Sequence, residues 1–409
     1  MAALSPLAAM TLSDHVSLAA TGASSTIARL FFTSRGRTAI VHADGSGLKY
    51  FDFHAPGQAT WQPGDVFPDG QRAIVLSMEP RRDGPGKSFD EYYTQTPTHI
   101  WIYDLATDRL EEICTKDRLA PFMTPALLLG DERLLVQVVK DRVGQIVSMR
   151  LDGSDQREFT RAGEGLPYGL SLSPDGTRVA FHLASPEGYQ IWTSDTDGGT
   201  RVRVAAHPDH LYFGTRWSPD GEWVLYGDCL YKQEPGHDWC DVCVGRADGS
   251  EHRVLTQGQA MWFAATYGDP TTRGGGSNVP SWTRDGRILF PRRTPGAKVP
   301  WVYQAGRADV DQINREYQPE HARGGTEICR LDPRTGQLEV LTPSDSPVWD
   351  FRASESADGK HLVFCRAATG RAPAIWIADA HGKNPQSITQ GQDDQGADHP
   401  RWLPQASGA

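Results

Sequence analysis

"RWSPDGEWVLYGD", residues 216–228, reads as a short strand, a tight turn and a second apolar strand. Asp-Gly between two alternating apolar runs is hairpin chemistry, because glycine reaches the left-handed backbone that a tight turn demands. The same unit returns in "SLSPDGTRVAFHL" (171–183), "SWTRDGRILFPRR" (281–293) and "SESADGKHLVFCR" (354–366). Weaker copies are "DVFPDGQRAIVLS" (65–77) and "ALLLGDERLLVQV" (126–138). Each is followed by a second hairpin with its own turn, as in "IWTSDTDGGTRVRV", "VCVGRADGSEHRVL" and "IWIADAHGKNPQSI". Self-similarity at this period, with four strands per repeat, predicts an all-β propeller of four-stranded antiparallel blades.

Six full repeats fall at 59–118, 119–163, 164–208, 209–258, 275–345 and 346–393. The leftovers are complementary. Residues 28–58 supply three strands without an innermost one, and "HPRWLP" (399–404) reads as that missing strand. Joined, they predict a seventh blade and a single domain over 28–405, preceded by an N-terminal segment, 1–27. Such a closure removes the free sheet edge.

Composition agrees with many short strands joined by turns: 42 Gly, 28 Pro and 12 Trp in 409 residues. The net charge of -10 argues against a general nucleic-acid or anionic-membrane binder, since phosphate neutralisation needs a basic surface. The N-terminus has no Lys or Arg ahead of its short apolar run, and no apolar stretch is long enough to span a bilayer. Six cysteines are too sparse for a disulfide scaffold, so a cytoplasmic protein is expected.

In such a blade the first-to-second and third-to-fourth strand turns share one face, and here they are short. The long connections therefore lie on the other face. They are the insertions 79–99, 229–239 and 292–326, and the Gly- and aromatic-rich link 257–280 between adjacent repeats. Loops of this length carry function more often than decoration. Residues 288–307 hold Arg292, Arg293, Lys298 and Arg307 without an acidic residue, with Arg273 upstream, which favours an anionic ligand. "AHPDHLYFGTRW" (206–217) enters the same rim, and strand alternation would put Tyr212, Gly214 and Arg216 on one side. The catalytic candidates are His210, Tyr212, Arg216, Tyr267 and Arg273. The substrate-binding candidates are His207, Trp262, Asn278, Arg292, Arg293, Trp301, Trp349, Arg352, His399 and Arg401. His182, at a repeated position on a second strand, reads as structural.

The "WSPDG" hairpins followed by "IWxxDxDG" strands resemble the TolB-like, WD40-like propeller repeats over nearly the whole chain. More distantly, the pattern is similar to the oligogalacturonate lyases. That resemblance implies a seven-bladed enzyme using a divalent metal, manganese or calcium, for β-elimination on uronate oligosaccharides. The closely spaced histidine pair of that family has one counterpart here, in "QGADHP" (395–400), so no residue role is transferred. Two readings stand: a lyase acting on an acidic oligosaccharide or other small anionic ligand, and a non-catalytic propeller that binds protein or glycan.

"GHDWCDVC" (236–243) adds a histidine, an aspartate and a C-x-x-C pair. Aligning the third strands places Cys243 where Trp192 and Trp376 stand, with Cys329 in the same place, so Cys243 is predicted to be a core residue. Residues three apart on a strand face opposite sides, and Cys240 and Cys243 should not converge. His237 and Asp238 precede the strand and are the metal candidates.

Overall fold

The computed structural model describes residues 27–34, 36–58, 60–78, 98–113, 118–119, 127–130, 132–140, 143–230, 239–265, 275–303, 315–344, 347–389 and 396–404. It is all-β, an arrangement of antiparallel four-stranded sheets set as a propeller-like ring. Thr60–Val66, Arg72–Met78, Thr98–Asp104 and Arg109–Ile113 pair in that order, as do Leu166–Leu172, Arg178–Ser185, Gly188–Asp195 and Arg201–His207. The same succession recurs in His210–Trp217 to His252–Val254 and in Val348–Glu355 to Gln386–Ser387. Among the described residues no helix is long and apolar enough to cross a membrane.

The turn chemistry explains why these residues form these hairpins. In the first turns Gly176, Gly221, Gly286 and Gly359 take φ of 73°, 72°, 78° and 72°. Their amides donate to the carbonyls of Ser173, Ser218, Thr283 and Ser356. The hydroxyl of each of those residues in turn donates to the turn aspartate, Asp175, Asp220, Asp285 or Asp358, at 2.5–2.6 Å. The motif is thus a self-satisfied turn that needs no tertiary help.

The closure forms as expected. Arg29–Ser34 pairs with Asp398–Trp402, which becomes the innermost strand of the sheet. The innermost strands then hold one another around the axis. Arg401 donates to Gly64 O, Trp217 Nε1 to Ser171 O, Trp282 Nε1 to Arg216 O and Ser281 Oγ to Ala353 O, while Arg352 Nε donates to Asp398.

One feature of these strands escapes strict alternation. The pairing register slips between Tyr168 and Ser171, Phe213 and Arg216, Phe351 and Ser354, and Pro63 and Val66. The closing strand slips likewise, opposite Phe31 and Thr33. At four of these bulges a residue sits in the left-handed region: Gly169 (φ 69°), Gly214 (62°), Arg352 (53°) and His399 (55°). Two sheets use glycine there, and two impose the strain on a side chain that sequence had marked for binding.

His182 is a core residue, 2% exposed, and neither ring nitrogen has a hydrogen-bond partner among the described residues. Its ring occupies space beside Gly169, where a Cβ would come within 2.8 Å of it. In the next sheet the roles reverse, with Phe213 filling the space over Gly227. Burial pulls the His182 pKa down from 6.5 to about 3. Below pH 6.5 the unfolded chain therefore takes up a proton that the folded chain refuses, and stability falls by about 1.4 kcal/mol per pH unit. The variant His182→Leu is expected to lose this slope, becoming roughly 2 kcal/mol more resistant than wild type near pH 5 in urea denaturation. An unchanged pH slope would mean that this imidazole is not held neutral.

Cys240 and Cys243 lie in different hydrophobic clusters, Cys243 paired opposite Tyr226 and Cys240 opposite Ala260. All five cysteines among the described residues are buried, and none of them forms a disulfide.

Candidate functional site

Strand direction places the candidates before any side chain is considered. First strands begin, second strands end and third strands begin on the face opposite the Asp-Gly turns. His210, Asp228, Trp239 and Arg292 therefore share that face. At its centre stands a dyad. Asp228, whose side chain is 9% exposed, accepts from His210 Nδ1 at 2.8 and 2.9 Å. With Nδ1 donating, Nε2 keeps its lone pair, and it has no hydrogen-bond partner among the described residues. The His207 ring packs 3.9 Å from the His210 ring, and His207 Nδ1 accepts from the Asp209 amide at 3.1 Å, leaving its Nε2 to donate. Burial raises the Asp228 pKa, and the bond from His210 opposes that rise. Sequence reasoning missed Asp228. The available signal was a carboxylate closing an otherwise apolar second strand.

Arg216 does not join this dyad, whereas Tyr212 lies against its buried side, paired opposite Asp228 with its ring centroid 5.9 Å from that of His210. Because of the bulge at Gly214, Tyr212 turns into the core, 4% exposed, its ring 5.4 Å from Tyr226, while Arg216 remains exposed. Burial pushes the Tyr212 phenol well above its ordinary pKa. Six residues along an extended strand put roughly 20 Å between His210 and Arg216, so they cannot serve one reacting centre.

The basic segment forms walls instead. A cavity of about 530 Å³ is lined by Gln259 and residues 292–297, including Arg292 and Arg293. A second, of about 500 Å³, is lined by Trp239, Lys298, Trp301, Glu320, His321 and Arg323 among others. Arg293 stacks over the Trp239 ring at 5.5 Å, and Arg292 pairs with Glu327 at 2.5 Å. Trp301 contributes only an edge, being 3% exposed.

Three other candidates are structural. Trp349 is fully buried and has no face for a ligand. Trp262, 7% exposed, packs on Phe213 at 5.4 Å. Asn278, 1% exposed, donates to Met261 O at 2.6 Å and accepts the amide of the strained Arg352 at 2.7 Å. It pins the 257–280 link to the next innermost strand.

Arg352, His399 and Arg401 lie along the axis. Arg352 is held by Asp398 at 2.6 Å. Arg401 Nη1 donates to Gly64 O at 2.7 Å and to Asp65 Oδ1 at 2.9 Å. Desolvation and the Arg352 charge pull the His399 pKa down to about 4, so this imidazole is neutral near neutrality. Tyr267, Arg273, Arg307, His237 and Asp238 lie outside the described residues. Among the described residues no three His, Cys, Asp or Glu side chains are grouped to hold a metal ion.

No family model and no curated protein matches this chain. Solved structures do. A puromycin-hydrolyzing peptidase of Mycobacterium tuberculosis is 13% identical over 88% of this chain and 50% of its own, with a TM-score of 0.54. An oligogalacturonate lyase in complex with manganese is 14% identical over 87% of this chain and 83% of its own, at 0.50. TolB from Acinetobacter baumannii is 14% identical over 90% and 79%, at 0.44. The fold is that of a β-propeller. The lyase is a propeller, and an identity this low speaks for the fold alone.

Proposed function

We propose that this propeller is a carbohydrate-active enzyme, a lyase that cleaves uronate-containing oligosaccharides by β-elimination. The observation that carries the reading is the His210–Asp228 dyad, an imidazole oriented by a buried carboxylate with its second nitrogen open at the rim. In this reading His210 Nε2 takes the proton α to the uronate carboxylate. The C–H electrons form the C=C bond as the bond from the β-carbon to the glycosidic oxygen breaks, and that oxygen leaves with a proton. Asp228 stabilises the imidazolium that results, and His207, donating through Nε2, suits the leaving oxygen. Arg293, stacked over Trp239, with Lys298 and Arg323 favours an acidic sugar chain on the same face, while Arg292 is paired with Glu327.

Manganese belongs to the lyase that this fold resembles. The described residues do not fit a divalent ion, because Asp398, the carboxylate beside His399, is already spent on Arg352. A cytoplasmic site of action suits buried thiols that form no disulfide among the described residues.

The test is incubation with oligogalacturonates and other uronate oligomers while following the ultraviolet absorbance of the unsaturated product, with and without added Mn²⁺ or Ca²⁺. Product formation is expected. Its absence across the panel, with binding retained, would make the protein a non-catalytic glycan-binding propeller. A dependence on added metal would point to His237 and Asp238.

A further inference from the structure

The two cavities on the face of the dyad are neighbours. Arg293 lines the first and Trp239 the second, Ala297 lines both, and the Arg293 guanidinium sits over the Trp239 ring at 5.5 Å. The stacked pair is therefore the partition between them. Its surroundings are held in place by bonds that a ligand does not need to form. Lys298 and Arg323 exchange backbone hydrogen bonds at 2.8 and 3.0 Å, and the Thr294 hydroxyl donates to Gly325 O at 3.1 Å and accepts the Gly325 amide at 3.0 Å. Trp301, 3% exposed, and Val299 pack this segment onto the main hydrophobic cluster. A ligand thus meets an ordered surface, and less conformational entropy is lost on binding.

Positive charge is available in both cavities. In the first, Arg292 is spent on Glu327, but Arg293 has no ion pair among the described residues. In the second, Lys298, His321 and Arg323 stand with one acidic residue of the described lining, Glu320. Arg323 Nη1 donates to the carbonyls of Glu320 and Ala322 at 2.9 and 2.6 Å, which leaves its charge uncompensated. Strand pairing sets the partition beside the dyad, because Asp228 lies opposite Tyr212 on one side and Asp241 on the other. His210 is two residues from Tyr212 toward the rim and Trp239 two residues from Asp241 toward the rim, so their backbones stand level, two strand spacings or roughly 10 Å apart. One sugar ring does not reach the dyad and fill both cavities.

We propose, on the reading of the substrate as a uronate chain, that the cavities on either side of the Arg293–Trp239 pair are consecutive subsites for an acidic oligosaccharide. Arg293 takes the carboxylate of one unit, the Trp239 indole packs against the apolar face of the next, and Lys298 takes the carboxylate of that second unit. The protein is then selective for chains over single uronates.

The experiment is calorimetric titration of the full chain carrying His210→Asn, which leaves the oligomer uncleaved, with galacturonate, trigalacturonate and neutral galactotriose. Trigalacturonate is expected to bind about tenfold or more tighter than galacturonate, and galactotriose more weakly than trigalacturonate. Adding Arg293→Gln or Lys298→Gln should each lower trigalacturonate affinity about tenfold, the worth of a charge-assisted bond. Each should leave galacturonate within a few-fold, since the other cavity stays intact. Both side chains are exposed, so both variants should keep the parent circular dichroism spectrum. Trigalacturonate that binds no tighter than galacturonate, equal binding of galactotriose, or trimer affinity that survives either substitution overturns the subsites. Unsaturated product from wild type alongside such a result keeps the lyase reading and removes the subsites. Charge- and length-dependent binding without product does the reverse.

Discussion

Replacing His210 by asparagine is expected to lower the rate of uronate elimination by roughly 10²–10⁴-fold, the usual worth of a positioned general base. Asparagine preserves polarity and approximate size but cannot take the α-proton. Asp228→Asn should fall in the same direction, because a neutral amide neither selects the Nδ1–H tautomer nor stabilises the imidazolium. The pair distinguishes chemistry from binding: kcat should drop while KM for the oligomer stays within a few-fold, since neither residue belongs to the basic cavity walls. His207→Asn should cost less, as it removes a donor and leaves the base. Wild-type kcat in His210→Asn would end the assignment of this dyad as the reacting centre.

The second large effect is on stability. Asp398→Ala is expected to destabilise the fold by about 3–5 kcal/mol, read as a lower urea midpoint at unchanged slope. Asp398 accepts from Arg352 Nε at 2.6 Å and from the His399 amide at 2.7 Å, while its carbonyl accepts Thr33 Oγ1 at 3.0 Å. Its side chain and that of Arg352 are 10% and 8% exposed, so truncation leaves a buried guanidinium without its carboxylate. The contact also ties the closing strand to its neighbour, so the loss falls where the ring is joined. Burial alone would raise the Asp398 pKa, but Arg352 and His399 hold it below the ordinary carboxylate range. Its contribution is therefore present above that range and is lost as pH falls through the lower, folded value. A loss below about 1 kcal/mol would show that the closure does not lean on this pair.

Much of the architecture was legible because its determinants are local. The SPDG turns satisfy their own hydrogen bonds, so a reader of the chain can place every such hairpin, and the equivalence of Cys243 with Trp192 and Trp376 follows from counting. The site was less legible. His210 stood out as a histidine at a strand entrance, but its partner Asp228 lies 18 residues away, and pairing register alone brings them together. Tyr212 and Arg216 were misaligned for a single reason: alternation assumes an unbroken ladder, and the bulge at Gly214 breaks it. Trp349 and Asn278 look alike in sequence to exposed rim residues, yet packing and buried hydrogen bonds consume them.

The amino-acid order by itself determined the all-β repeat, the turn on each hairpin, the closure by the two chain ends and the basic character of residues 288–307. All of these depend on residues close in sequence or on complementary leftovers. Tertiary structure alone decided that Arg352 is neutralised by Asp398 and that His210 is oriented by Asp228. Those contacts form only when distant strands are packed around a common axis, where low dielectric and confinement turn separate charges into coupled ones.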